Sequence, residues 1–149
     1  MSIDQLKAKL EAEKVDFEIL KQSKEILSNE EEAKEFGASL SQLTPTLVFV
    51  GDGKHLAVIK SGHRKLNLKQ LACKLGVQEL KLATKEQLQK LGFKIGLLPM
   101  IGLCMPIHIE KRVLKERYVY GGCGIPYYCL KISTNDLLKL TDAKIIDLN

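Results

Sequence analysis

The spacing of apolar and polar positions changes period along the chain, and each change marks an element. Ile3, Leu6 and Leu10 recur at helical spacing behind Ser2-Ile3-Asp4-Gln5, a capping box in which Ser2 serves the first-turn amides and Gln5 reaches back. Val15, Phe17 and Ile19 alternate with Asp16 and Glu18, the period of a strand buried mainly on one side. Ser28 ahead of Glu30-Glu31-Glu32 opens a second helix, its acids well placed for the helix dipole, and Gly37 stops it. Thr46 to Val50 and Leu56 to Ile59 are β-forming runs on either side of Asp52-Gly53, a strong hairpin signal.

Asn67 then caps a helix carrying Leu68, Leu71, Ala72 and Leu75, which ends at Gly76, and Val77, Leu80 and Leu82 form a short extended piece. Thr84 with Gln87 is a further capping box, opening a helix to Leu91 that stops at Gly92. Between Gly92 and Pro106 an apolar segment is punctuated by Gly and Pro, which implies a loop lying against the core. Strands are expected around Ile107 to Ile109, Tyr118 to Tyr120 and Tyr127 to Ile132. Ser133 to Asp136 cap a last helix through Leu137, Leu138 and Leu140, and Lys144 to Asp147 suits a final strand. The pattern is mixed α and β with hairpins rather than a doubly wound parallel sheet. With no repeat, low-complexity tract or linker, residues 1–149 are expected to make one domain.

Composition narrows the class. Hydrophobic residues make up 45% and charged residues 28%, an ordinary globular balance, and with no Trp and 5% aromatics the core must rest on Leu, Ile and Val. The 23 Lys and Arg against 18 Asp and Glu give +5, compatible with phosphate contacts without establishing them. Met1 to Leu10 has no signal-peptide core, and the apolar stretch Ile95 to Ile109 is too short and too interrupted to span a bilayer. The expectation is a cytoplasmic protein, without a membrane partner, whose four cysteines are thiols.

Common site motifs are missing: no P-loop, no dinucleotide fingerprint after a first strand, no HExxH and no G-x-S-x-G. Gly121-Gly122-Cys123-Gly124 is glycine-rich but opens no helix, so a tight turn fits it better than a phosphate cradle. Cys104-x3-His108 with Cys123-x5-Cys129 could ligate zinc if their strands were neighbours, but the spacings are not those of a zinc ribbon and buried packing is the default. His63, in Gly62-His63-Arg64-Lys65, and Lys60 at a strand end read on their own as a solvated basic turn or as functional loop residues.

Taken in order, several segments resemble the YbaK family, which includes the editing domain inserted in bacterial prolyl-tRNA synthetases. Ser28 to Gly37 resembles its early helix, and Thr46-Leu47-Val48-Phe49 the strand that follows. Gly62-His63-Arg64-Lys65-Leu66-Asn67-Leu68-Lys69-Gln70-Leu71-Ala72 is similar to a Gly-Asp-x-x-Leu-Asp-Leu-Lys-Lys-Leu-Ala stretch. Leu91-Gly92 with Gly96-Leu97-Leu98-Pro99-Met100-Ile101-Gly102 looks like the Thr-Gly and Gly-x-x-x-Pro-x-Gly loop, and Gly121-Gly122, Asp136-Leu137 and Leu140-Thr141-Asp142-Ala143 also match.

The resemblance implies a curved, barrel-like mixed sheet flanked by helices, and a metal-free, cofactor-free deacylase that hydrolyses the ester of a mischarged tRNA. It implies a pocket from Thr46, Gly92, Gly96, Leu97, Leu98, Pro99, Met100, Gly121 and Gly122, with Arg64 and Lys65 placed for tRNA. The family's lysine, however, immediately precedes the Thr-Leu pair, and here that position is Pro45, which brings neither charge nor donor. Lys60 or His63 would then supply the missing group. His63 and Asn67 stand where Asp is common, and Leu97 and Leu98 make the loop bulkier than usual. The leading expectation is thus a trans-acting aminoacyl-tRNA deacylase, acting free or with a synthetase. The alternative is a protein of this fold that binds tRNA ends, a nucleotide or an amino-acid-like ligand without hydrolysis.

Overall fold

The elements follow the hydrophobic pattern closely in a computed structural model that describes residues 1–26, 28–63, 65–94 and 97–148. Helix α1 (Ile3–Ala12) carries the predicted capping box and buries Leu6 and Leu10. Strand β1 (Phe17–Lys21) leads to α2 (Asn29–Phe36), whose Ser28 hydroxyl accepts from the Glu31 amide and whose Gly37 terminates it at φ 64°. That left-handed turn is why the helix stops at glycine.

Strands β2 (Thr46–Gly51) and β3 (Lys54–Ile59) form the predicted hairpin, with Asp52 at φ 48° and Gly53 at φ 81° in its turn. Two positive φ values fit a turn whose twist matches that of its strands. The Asp52 carboxylate also accepts from the amides of Gln78 and Glu79, and those bonds hold it below the usual carboxylate range. They anchor the hairpin to β4 (Leu80–Leu82), which follows α3 (Leu68–Leu75) and precedes α4 (Lys85–Lys90). The chain closes with β5 (Ile107–Glu110), β6 (Tyr118–Gly122), β7 (Tyr128–Ser133), α5 (Thr134–Thr141) and β8 (Lys144–Ile146). Two short 3-10 turns, Leu40–Gln42 and Lys111–Lys115, were not marked by hydrophobic period because neither is long enough to show one.

The fold is mixed α/β, and its strands divide into two sheets rather than closing a barrel. One has the order β1-β7-β6 and is antiparallel; the other has the order β4-β2-β3-β5-β8, with β5 parallel to both of its neighbours. They meet where the chain enters β2: Leu43 bridges Tyr120, and the Thr44 amide donates to the Tyr120 carbonyl at 2.9 Å. Val48, Ala57, Ile59, Ile109, Val119, Leu130 and Ile132 fill the main core, and Phe36 stacks on Tyr120 with centroids 6.1 Å apart, seating α2 over the junction. No helix among the described residues is long and apolar enough to cross a membrane.

Candidate active site

The junction of the two sheets leaves a cleft of about 740 Å³. Its walls are the entry to β2 (Pro45, Thr46, Leu47), the loop residues Leu97 and Leu98, and the β6–β7 turn from Gly121 to Cys129. The far side is closed by Gln22, Glu25 and Ile26 after β1, and by Glu32 of α2.

The Gly/Pro loop reaches this cleft because two glycines let it. A Cβ on Gly122 would lie 2.2 Å from the Leu98 carbonyl oxygen, and one on Gly121 would lie 2.3 Å from Met100 Sδ. The Met100 amide donates to the Gly122 carbonyl at 3.0 Å, fixing the loop along β6. Met100 is fully buried, and the hydroxyl of Thr44, also buried, lies 3.0 Å from its sulfur and 3.1 Å from the Tyr120 carbonyl. Glycine at 121 and 122 thus admits the loop, where the sequence alone suggested a tight turn.

Thr46, Leu97, Leu98, Gly121 and Gly122 line the cleft together with Pro45. Met100 lies beneath it, Pro99 is packed beside Gly124, and Gly92 sits at φ 88° after α4, outside the lining. Gly96 and Arg64 lie outside the described residues. His63 and Lys65 are exposed and not part of the lining, and the His63 amide donates to the Ser61 hydroxyl at 3.3 Å.

Lys60 is half-buried and also outside the lining, but the Lys60 amide donates to the Pro45 carbonyl at 3.1 Å. The β2–β3 register, Thr46 with Ile59, puts Lys60 directly opposite Pro45. Directly opposed residues of an antiparallel pair share a face, with Cβ atoms roughly 5 Å apart. Lys60 Nζ donates to the Ser61 carbonyl at 2.9 Å, and burial pulls the ammonium below its usual range, partly offset by Glu110. Glu110, 3% exposed, is itself tied to the Ser61 amide at 2.9 Å.

Several lining residues had no separate signal in the sequence. Glu32 looked like a helix-dipole acid, and Cys129 like a candidate zinc ligand with buried packing as the default. They face each other: Cys129 Sγ lies 3.7 Å from Glu32 Oε1. Burial and the neighbouring carboxylate push the Cys129 thiol far above its usual range, and burial raises Cys123 and Glu32 as well. Neither thiol is poised as a thiolate nucleophile. The Thr46 hydroxyl is different again, for the residue is 8% exposed and its Oγ1 has no hydrogen-bond partner among the described residues.

The zinc alternative fails on topology. His108 is on β5 in one sheet, Cys129 is on β7 in the other with Cys123 in the turn before it, and Cys104 is exposed. Among the described residues no three His, Cys, Asp or Glu side chains are grouped to hold a metal. A second depression of about 570 Å³ involves Asp16, Tyr118, Ser133 and Asp136. These groups satisfy one another: Tyr118 donates to Asp16, and Ser133 and the Asp16 amide donate to Asp136.

Residues 23–140 match the family described as Aminoacyl-tRNA editing domain. A proline–tRNA ligase of Nitratidesulfovibrio vulgaris (strain DP4) is 36% identical over 96 residues, which are 64% of this chain and 16% of the ligase. The chain thus spans only about a sixth of the ligase's length. The uncharacterized protein YwhH of Bacillus subtilis (strain 168) is 24% identical over 78% of this chain and 76% of its own. Among solved structures, one described as a candidate trans-editing enzyme for prolyl tRNA synthetase superposes with a TM-score of 0.83 at 25% identity, covering 99% of this chain and 97% of the other. The hypothetical protein APE2540 superposes with a TM-score of 0.84 at 24% identity, over 96% and 97% of the two chains, which supports the fold alone. The chain belongs to the aminoacyl-tRNA editing domain family.

Proposed function

We propose that this protein is a trans-acting aminoacyl-tRNA deacylase, which hydrolyses the ester joining a mischarged amino acid to the 3′-terminal adenosine of tRNA. The observation that carries the reading is the cleft itself. It is formed by the segments that carry the family resemblance, the Thr46 strand entry, the Leu97–Leu98 loop and Gly121-Gly122, in a chain of the editing family. The trans-acting part rests on the near-complete overlap with the candidate trans-editing enzyme.

The chemistry asks little of the protein beyond placement. Water adds to the ester carbonyl, the carbon–oxygen bond to the ribose breaks, and the ribose oxygen takes a proton, releasing tRNA and a free amino acid. A cleft that fixes the ester and one water supplies mainly orientation and electrostatic stabilisation. The unpartnered Thr46 hydroxyl can hydrogen-bond the ester or the water. The positive group that the family places at Pro45 comes from the opposite strand, by Lys60 turning from the Ser61 carbonyl toward the developing charge. His63 is the weaker candidate, being exposed and away from the lining, and Arg64 and Lys65 are kept for the tRNA backbone.

A panel of mischarged tRNAs tests this with wild type, Lys60→Ala and His63→Ala. Loss of one donor to developing charge typically costs ~100-fold in rate, so Lys60→Ala should slow turnover by at least about tenfold, with His63→Ala within about threefold of wild type. The non-hydrolytic reading draws on Pro45 in the wall and on the Lys60 ammonium being bonded to Ser61. Retarded tRNA with no turnover of any ester would favour it.

A further inference from the structure

The proposed deacylase cleft is acidic in a basic protein. The chain carries +5, yet the ionisable side chains lining the cleft, cysteine and tyrosine aside, are Glu25 and Glu32, with no Lys or Arg among the described lining residues. Glu32 is half-buried, and the one hydrogen-bond partner of its carboxylate among the described residues is the Cys129 thiol at 3.7 Å. A thiol is a weak donor, so the carboxylate retains most of its acceptor capacity. In the same cleft the buried Thr46 hydroxyl has no hydrogen-bond partner among the described residues. Carboxylates removed from water are costly unless a cation or donor answers them, and the upward displacement of the Glu32 carboxyl by burial reflects that cost.

We propose that Glu32 is a specificity residue, which accepts the protonated α-amino group of the esterified amino acid and thereby excludes N-acylated esters from the cleft. The assignment rests on the deacylase reading for its substrate and goes beyond it by naming the group recognised. An aminoacyl ester presents an ammonium and no free carboxylate, a charge pattern that an acidic cleft complements. Hydrolysis then creates a carboxylate on the amino acid. Glu25 and Glu32 repel that new charge, so the same pair that draws the substrate in weakens the hold on the product. Glu25, exposed at the rim, adds field rather than contact. A purely structural role for Glu32 at the start of α2 would affect stability and leave selectivity alone, since Glu30 and Glu31 serve the same helix end.

Two measurements decide it. The first compares hydrolysis of alanyl-tRNA and N-acetylalanyl-tRNA. The second compares binding of adenosine bearing alanine through a stable 3′-amide with that of its N-acetyl form. Wild type should favour the free amine by about tenfold or more, the order of one charge-assisted contact. Glu32→Gln should bring the ratio within about threefold of unity, with thermal stability retained, while Glu25→Gln keeps most of the preference. A wild-type protein indifferent to acetylation, or a Glu32→Gln protein that keeps the full ratio, overturns the assignment. Turnover without a Glu32-dependent preference sinks Glu32 and leaves the deacylase standing. A Glu32-dependent preference in binding with no turnover does the reverse, and loss of both removes both.

Discussion

At the scale of single residues, the buried Thr46 hydroxyl has no hydrogen-bond partner among the described residues. Replacing it with valine, nearly the same shape, removes a buried polar atom that gains nothing from folding. Leaving such an atom unsatisfied costs about 1–3 kcal/mol. Thr46→Val should therefore match or exceed wild type in chemical denaturation while losing at least about tenfold in deacylation rate. A variant of full activity would show that the hydroxyl touches neither ester nor water. Asp136 gives the opposite case, a carboxylate whose Oδ2 accepts two hydrogen bonds. The Asp16 amide and the Ser133 hydroxyl hold its carboxyl below the ordinary value near 3.8. Because the folded value is the lower one, its contribution is present above the unfolded value and is lost as pH falls through the folded one. Stability of Asp136→Asn, followed from pH 6 down to about pH 2, should fall less steeply than wild type; identical slopes would show that the pair of bonds does not form in solution.

At the scale of elements, the cleft depends on how closely the Leu97–Met100 loop lies on β6. The Leu98 carbonyl occupies the space where a Gly122 side chain would begin. Backbone cannot yield as a flexible side chain can, so Gly122→Ala should cost about 1–3 kcal/mol. It should also displace the loop and depress activity beyond what the stability loss explains. Gly53→Ala, strained by φ 81° but far from the cleft, supplies the comparison, with lost stability and retained activity per folded molecule. Capping boxes, glycine stops and the Asp52-Gly53 turn were all readable in sequence because each is a local event within about four residues. The division into two sheets was not. It depends on Thr44 and Leu43 reaching Tyr120 across 76 and 77 positions, a pairing that periodicity does not encode. Glu32 was hidden for the same reason, since its place beside Cys129 exists only after α2 has docked.

At the scale of the whole molecule, a basic chain carries an acidic cleft, and the two charges suit different parts of one substrate. On the proposed reading, exposed lysines such as Lys65 would meet phosphates, while Glu32 in the cleft would meet an ammonium. The family was legible from ordered segments along the chain. What sequence could not supply was the geometry opposite Pro45, where the β2–β3 register sets Lys60. The most direct test is the single-turnover loss of amino acid from a panel of mischarged tRNAs, wild type beside Lys60→Ala. The account predicts at least one ester cleaved about 100-fold or more above spontaneous hydrolysis, with that rate reduced at least about tenfold in Lys60→Ala. Spontaneous rates for every ester, in protein that still retards tRNA, would contradict it.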